Sequence, residues 1–182
     1  MSAPVYTREA PGALPPGFHN LTVASGIRSA ARREPGKTAV ICGAQSRSYT
    51  QLVEHIDRVA NGVLALGLQA GQNAAIVAPN CIEYIEVVAG VSEIGAATAT
   101  PNPRLTPREL ADICNDAQAQ ILFVHPSCTA SVDRSLLQTV RHVVTLGPEY
   151  DALLQRASPQ FNPPAVAEWG AFSIPYTSGT TG

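Results

Sequence analysis

The chain has 182 residues, 45% of them hydrophobic and 14% charged, with a formal net charge of −2 at pH 7. That composition excludes a disordered chain and gives no electrostatic reason to expect a nucleic-acid partner. A chain of this length can build one good core, burying roughly 70% of the surface its unfolded state exposes.

Residues 1–20 carry Pro4, Pro11, Pro15 and Pro16 with Gly12 and Gly17, which predicts an irregular arm over the surface. A helix is expected over 21–33, with Val23, Ile27 and Ala30 on one face and Pro35-Gly36 ending it. Residues 38–42 read as a strand, Gly43-Ala44-Gln45 as a turn, and 47–49 as a short returning strand. Thr50 is the expected cap of the next helix, whose apolar face is Leu52, Ile56, Val59, Ala60, Val63 and Leu66, with Gly67 as its stop.

A strand follows over 73–78, then Asn80 with Glu83 three residues on, a capping-box spacing for a helix to about residue 94. The apolar window 82–99 contains Glu83, Glu86 and Glu93, so a buried soluble helix is preferred to a membrane span. Glu86 and Glu93 are expected on that helix's polar side. A short strand over 97–100 precedes the strongest helix start in the chain, where Thr106 caps, Pro107 opens and Glu109 completes the box. Further elements are a strand over 121–124, a helix around 136–137, a strand over 140–146 and a helix over 149–156. A Pro-rich connector over 158–168 leads to an apolar run, 171–175, that reads as a short buried strand. Strands alternating with helices predict a layered, mostly parallel α/β sheet with flanking helices, without a second domain.

Cys42, Cys81, Cys114 and Cys128 have no Cys-x-x-Cys spacing; they could form two disulfides, but three sit in apolar periodic segments, where a buried free thiol is expected. With no export signal in residues 1–20, this predicts a reducing, cytoplasmic setting. His125 and Cys128 flank a turn; two ligands do not make a closed zinc site, and no metal residues are assigned. His19, His55 and His142 are read as structural or exposed, and Trp169 and Tyr176 as packing residues.

The final string, Tyr176, Thr177, Ser178, Gly179, Thr180, Thr181 and Gly182, is the one candidate site. Glycines let the backbone turn its N–H groups toward an anion, and hydroxyls add donors that follow phosphate oxygens. Taken alone, such a string is as readily a flexible tail. It is not a Walker A loop, because Gly179 and Gly182 stand three apart and no lysine follows. Nor is it a nucleophile elbow, since no glycine stands two before Ser178.

The same string closely resembles the ATP-phosphate loop of the AMP-forming acyl-CoA synthetases and their adenylate-forming relatives. The resemblance runs over roughly residues 20–182, with Ser48 to Leu52, the Asn80 helix start and Asn102 to Thr106 in the family's order. It departs at Gly71-Gln72, where the family usually has Gly-Asp. Asn102 to Thr106 is similar to bacterial fatty-acyl and aryl-acid CoA ligases, and Pro175-Tyr176 to the aryl-acid ones.

The resemblance implies the N-terminal part of the large domain of such a ligase, over 21–182 behind the arm of 1–20. It implies a carboxylic acid substrate, ATP with Mg²⁺, and coenzyme A. Thr177, Ser178, Gly179, Thr180, Thr181 and Gly182 would hold the ATP phosphates, with no catalytic residue in this chain. In the family a lysine follows this loop, and Lys37 is the only lysine here. The expectation is therefore a chain that does not adenylate by itself. It would work with the remainder of the ligase chain or with a second fragment, and a homodimer stays open. The other class of function left open is a non-catalytic phosphate-binding or protein-interaction module.

Overall fold

The computed structural model describes residues 22–164, 166 and 169–177; the arm of 1–20 lies outside them. In chain order the elements are α1 (Val23–Arg33), β1 (Thr38–Cys42), β2 (Gln45–Ser48), α2 (Tyr49–Ala65), β3 (Asn73–Val77), α3 (Ile82–Glu93), β4 (Ala97–Thr100), α4 (Pro107–Asp116), β5 (Ala119–Val124), a 3-10 turn (Pro126–Ser131), β6 (His142–Thr145), α5 (Pro148–Arg156) and β7 (Ser173–Pro175). β1 and β2 form an antiparallel hairpin apart from a five-stranded sheet of order β6-β5-β3-β4-β7. Every pairing in the larger sheet is parallel, as the alternation predicts.

β3 sits at the centre, and Ala74, Ala75, Ile76 and Val77 are wholly buried. A parallel strand covered on both faces needs apolar residues at every position, which is what this run supplies. Alternate side chains feed two cores. Ala74 and Ile76 join Ile121, Phe123 and Val144 under α2, α3 and α5. Ala75 and Val77 join Ala99, Leu122 and Val124 under α4 and the 3-10 turn. α1 lies on α2 and α3 through Ala24, Leu52, Ile56 and Ala89.

The chain steps from β3 to β4 on one side, then returns across β3 to place β5 on the other. Right-handed crossovers in opposite directions put their helices on opposite faces. Accordingly Val87 and Val91 of α3 lie in one core, and Leu110 and Cys114 of α4 in the other. The loops leaving β3 and β4 therefore diverge at the carboxyl edge, the place where open α/β sheets hold ligands.

Local chemistry explains most helix starts. Thr106 accepts from the Glu109 backbone N–H at 3.4 Å, while Glu109 accepts from the Thr106 N–H at 2.8 Å. At α2 the cap is Ser48 rather than Thr50. Ser48 Oγ accepts from the Gln51 N–H at 3.3 Å, and Gln51 Oε1 accepts from the Ser48 N–H at 2.9 Å. Thr50 instead donates to the Pro35 carbonyl at 3.1 Å. The expected Asn80 capping box does not form. The backbone stays extended at Cys81, so α3 starts one residue later and Glu83 moves out of the box register.

Two further expectations differ. Residues 136–137 form no helix; the Asn115 side chain holds that segment by donating to the Leu136 carbonyl at 2.9 Å and accepting from the Gln138 N–H at 2.8 Å. The last strand is shorter than the run 171–175 and lies at the sheet margin, so it is half-buried and Phe172 before it is 48% exposed. No helix among the described residues is long and apolar enough to cross a membrane.

α2 and α3 approach closely because Gly90 has no side chain. A Cβ there would lie 2.6 Å from Val59 Cβ and 3.0 Å from the Ile56 carbonyl oxygen. Gly90→Ala is expected to lower stability in a urea titration by about 1–3 kcal/mol, despite alanine's better helix propensity. Gly62→Ala meets only the end of the Leu153 side chain, at 3.1 Å, and should cost markedly less.

Candidate nucleotide site

β7 brings the candidate loop to the carboxyl edge. It pairs with β4 in the register Ala99 with Ile174 and Thr100 with Pro175, so its loop leaves beside the end of β4. The Thr98 N–H donates to the Phe172 carbonyl at 3.0 Å, fixing the entry to the strand. Tyr176 packs against the core under α4, and its hydroxyl donates to Asp116 Oδ2 at 2.6 Å. Its expected packing role is thus joined by a polar tether. Thr177 follows and is exposed, as a residue opening a ligand loop must be. Ser178, Gly179, Thr180, Thr181 and Gly182 lie outside the described residues.

The neighbouring strand ends shape the rest of this edge. After β4, Pro101 is buried, and Asn102 Oδ1 accepts from the Arg104 N–H at 2.9 Å, turning the chain toward α4. Tyr84 on α3 lies against the same strand end. Burial pushes its phenol above the ordinary value, and a hydrogen bond with Thr100 opposes the rise. After β5, His125 caps the 3-10 turn, its Nδ1 accepting from the Ser127 N–H at 3.2 Å. His125 and Cys128 are thus structural, and no group of three metal-ligating side chains occurs among the described residues.

Behind this edge are two polar clusters within the helical layer. Glu86 is fully buried rather than on a polar face. Its Oε2 accepts from the Tyr150 hydroxyl at 2.9 Å. Its Oε1 lies 3.0 Å from His55 Nδ1 and 3.4 Å from Arg47 Nε. Both lie within ion-pair distance but are not aligned as hydrogen bonds; Coulomb attraction carries the contact with the Arg47 guanidinium. One carboxylate thereby joins β2, α2, α3 and α5.

In the second cluster Arg28 of α1 bridges Asp57 of α2 and Glu93 of α3, its Nε donating to Glu93 at 2.9 Å. Burial opposes the charge on Arg28, and hydrogen bonds and attraction from Asp57 and Glu93 outweigh it, raising its pKa. Glu93 is only 4% exposed, which again corrects the polar-side expectation. The reason is the same in both cases: a polar partner arrives from a distant part of the chain, 65 residues away for Arg28 and 64 for Tyr150. A helix-face pattern carries no trace of such a partner. An open cleft of about 270 Å³ between α1 and α2, lined by Arg28, Ala31, Arg32, Thr50 and Val53, does not include the residues of the β7 edge.

The frame is thus a five-stranded parallel sheet with helices on both faces, in which β7 brings Thr177 to the carboxyl edge beside β4. The fold matches the crystal structure of the anthranilate CoA ligase AuaEII in complex with anthranoyl-AMP, with a TM-score of 0.84 at 21% identity, covering 92% of this chain and 33% of that one. The sequence model of the AMP-binding enzyme family matches residues 27–182, and the chain belongs to that family. It is 33% identical over 141 residues to a long-chain-fatty-acid–CoA ligase of Thermus thermophilus, covering 74% of this chain and 26% of the relative. It is 31% identical over 182 residues to a 3-methylmercaptopropionyl-CoA ligase of Ruegeria lacuscaerulensis, covering 89% of this chain and 34% of the relative. The chain thus spans about a quarter to a third of the length of these curated relatives.

The buried clusters can be tested by stability. Glu86→Ala is expected to cost on the order of 3 kcal/mol, because Arg47 loses its buried counter-charge and the Tyr150 hydroxyl its acceptor. Tyr150→Phe should cost about 1–3 kcal/mol by leaving Glu86 short of a donor. The pH dependence separates the two. Burial, reinforced by the Glu86 charge, pushes the Tyr150 phenol well above its ordinary 10.0. The folded state keeps a proton that the unfolded chain releases, so this contribution is intact below about pH 10 and is lost as pH rises further. Burial also pushes Cys114 from 9.0 up to about 12, which starts the same kind of loss near pH 9. Urea midpoints measured from pH 7 to 11 should therefore fall from about pH 9, and the fall above pH 10, to which Cys114 and Cys81 still contribute, should be shallower in Tyr150→Phe.

Proposed function

We propose that this chain is the N-terminal part of an AMP-forming acid–CoA ligase, with 21–182 as part of its large domain behind an N-terminal arm, 1–20. The observation that carries the reading is the family match over 27–182, with β7 bringing Thr177, the first residue of the Thr-Ser-Gly string, beside the end of β4. In this reading Thr177, Ser178, Thr180 and Thr181 offer hydroxyl donors to the β- and γ-phosphates of ATP. Gly179 and Gly182 let the backbone approach them.

The proposed reaction has two steps. A carboxylate oxygen attacks the α-phosphorus, a P–O bond to pyrophosphate breaks, and acyl-AMP forms. The thiol of coenzyme A then attacks the acyl carbonyl, AMP leaves, and the thiol proton passes to solvent or a base. Mg²⁺ supplies charge neutralisation of the phosphates when bound with ATP. The described residues offer no three-ligand group, and none of them is assigned to the metal. Hydroxyl donors placed against the phosphates hold them while charge moves to the departing pyrophosphate. Choice of acid is assigned to later sequence, and the relatives named above act on unlike acids. A cytoplasmic location is part of the same reading.

ATP–pyrophosphate exchange tests it. This chain alone should give background exchange only. The same residues continued through the family's later segments should give acid-dependent exchange and, with coenzyme A, a thioester. In that longer protein Thr180→Ala or Thr181→Ala should lower exchange about ten- to a hundredfold, the weight of one hydrogen bond to a charged group. Acid-independent exchange would overturn the assignment, and robust exchange by this chain alone would overturn the expectation that it does not adenylate by itself.

A further inference from the structure

Two of the four cysteines come together in space. Cys42 ends β1, and Cys81 is the residue immediately before α3. The Cys42 thiol donates to the Asn80 carbonyl oxygen at 3.5 Å, across 38 positions of sequence. That carbonyl belongs to the peptide whose nitrogen is Cys81, so one thiol rests on the backbone that begins the other cysteine. Both cysteines are free and half-buried, whereas Cys114 and Cys128 are buried.

We propose that Cys42 and Cys81 form a reactive dithiol that closes to an intramolecular disulfide when met by a small disulfide oxidant. The Cys42 thiolate attacks one sulfur of the oxidant, whose S–S bond breaks and releases one thiol. The Cys81 thiolate then attacks Cys42 Sγ in the mixed disulfide and displaces the second thiol. The two protons released by the cysteines pass to the departing thiolates. Two cysteines are oxidised, and one added disulfide is reduced to two thiols.

Burial pushes the Cys81 thiol up to about 11, so it is mostly protonated at neutral pH and is the resolving partner. Ring closure therefore speeds up as pH rises toward that value. The bridge would tie the hairpin to the start of α3, at the rim where the loops from β3 and β4 diverge. Oxidation state then sets how firmly that rim is held, whatever reaction the site serves.

The test is to treat the reduced full chain with oxidised glutathione at pH 7 and pH 9, quench with acid and map the peptides by mass spectrometry. The expected product is a Cys42–Cys81 linked peptide pair with a loss of about 2 Da, formed faster at pH 9. Cys114→Ala and Cys128→Ser should leave it unchanged, while Cys81→Ser should stop at a glutathione adduct on Cys42. An organic trivalent arsenical, which takes two thiols and releases two waters, should bind the unmodified chain with a stoichiometry of one and block the bridge. That measurement needs no variant to fold. Glutathione adducts without a bridge in the unmodified chain, bridges to Cys114 or Cys128, or cross-links only between chains would overturn the proposal.

Discussion

The requirement that most constrains this structure is the covering of β3 on both faces. A strand of Asn73, Ala74, Ala75, Ile76 and Val77 offers apolar side chains in both directions, and neither set can be left in water. Helices must then lie above and below it. With the chain moving first to β4 and then back across to β5, crossover handedness assigns α3 to one face and α4 to the other. The crevice at the carboxyl edge follows from that assignment. So does the position of β7, which adds to the free side of β4 and brings Thr177 to the same edge.

The helical layer is held by more than apolar contact. Glu86 and Glu93 are carboxylates in positions where an unpaired charge would be costly. Each is matched by partners from separate elements, Arg47, His55 and Tyr150 for the first and Arg28 for the second. Replacing such a group by a hydrocarbon of similar shape need not destabilise a protein, but removing one partner does. These clusters therefore fix which helices meet and in what register, more than they add to net stability. Gly90 works in the same direction by letting α2 settle against α3.

Features decided within one turn of chain were legible in the sequence. The α4 start needs only Thr106, Pro107 and Glu109, and all three behave as their spacing says. The parallel sheet and its strands were readable from apolar runs, and the loop resemblance led to the family that the chain belongs to. The errors have a common physical origin. Asn80 had the right neighbour at the right spacing, yet one extended residue at Cys81 moved the helix start. Glu86, Glu93 and the Cys42–Cys81 approach depend on partners dozens of residues away, and no periodicity encodes them. In the candidate site, the strand and the tether of Tyr176 to Asp116 are visible, while the residues from Ser178 onward rest on sequence.

Asn115 gives the segment between the 3-10 turn and β6 its order without a helix or a strand. One amide serves as donor to Leu136 and acceptor from Gln138, a pairing that only a neutral amide can make. Spontaneous hydrolysis of that amide to the acid would set a carboxylate oxygen against the Leu136 carbonyl, turning attraction into repulsion. Chemical ageing at this single side chain would thus loosen a stretch of backbone that Val132, Leu137 and Val140 otherwise hold by packing on the core.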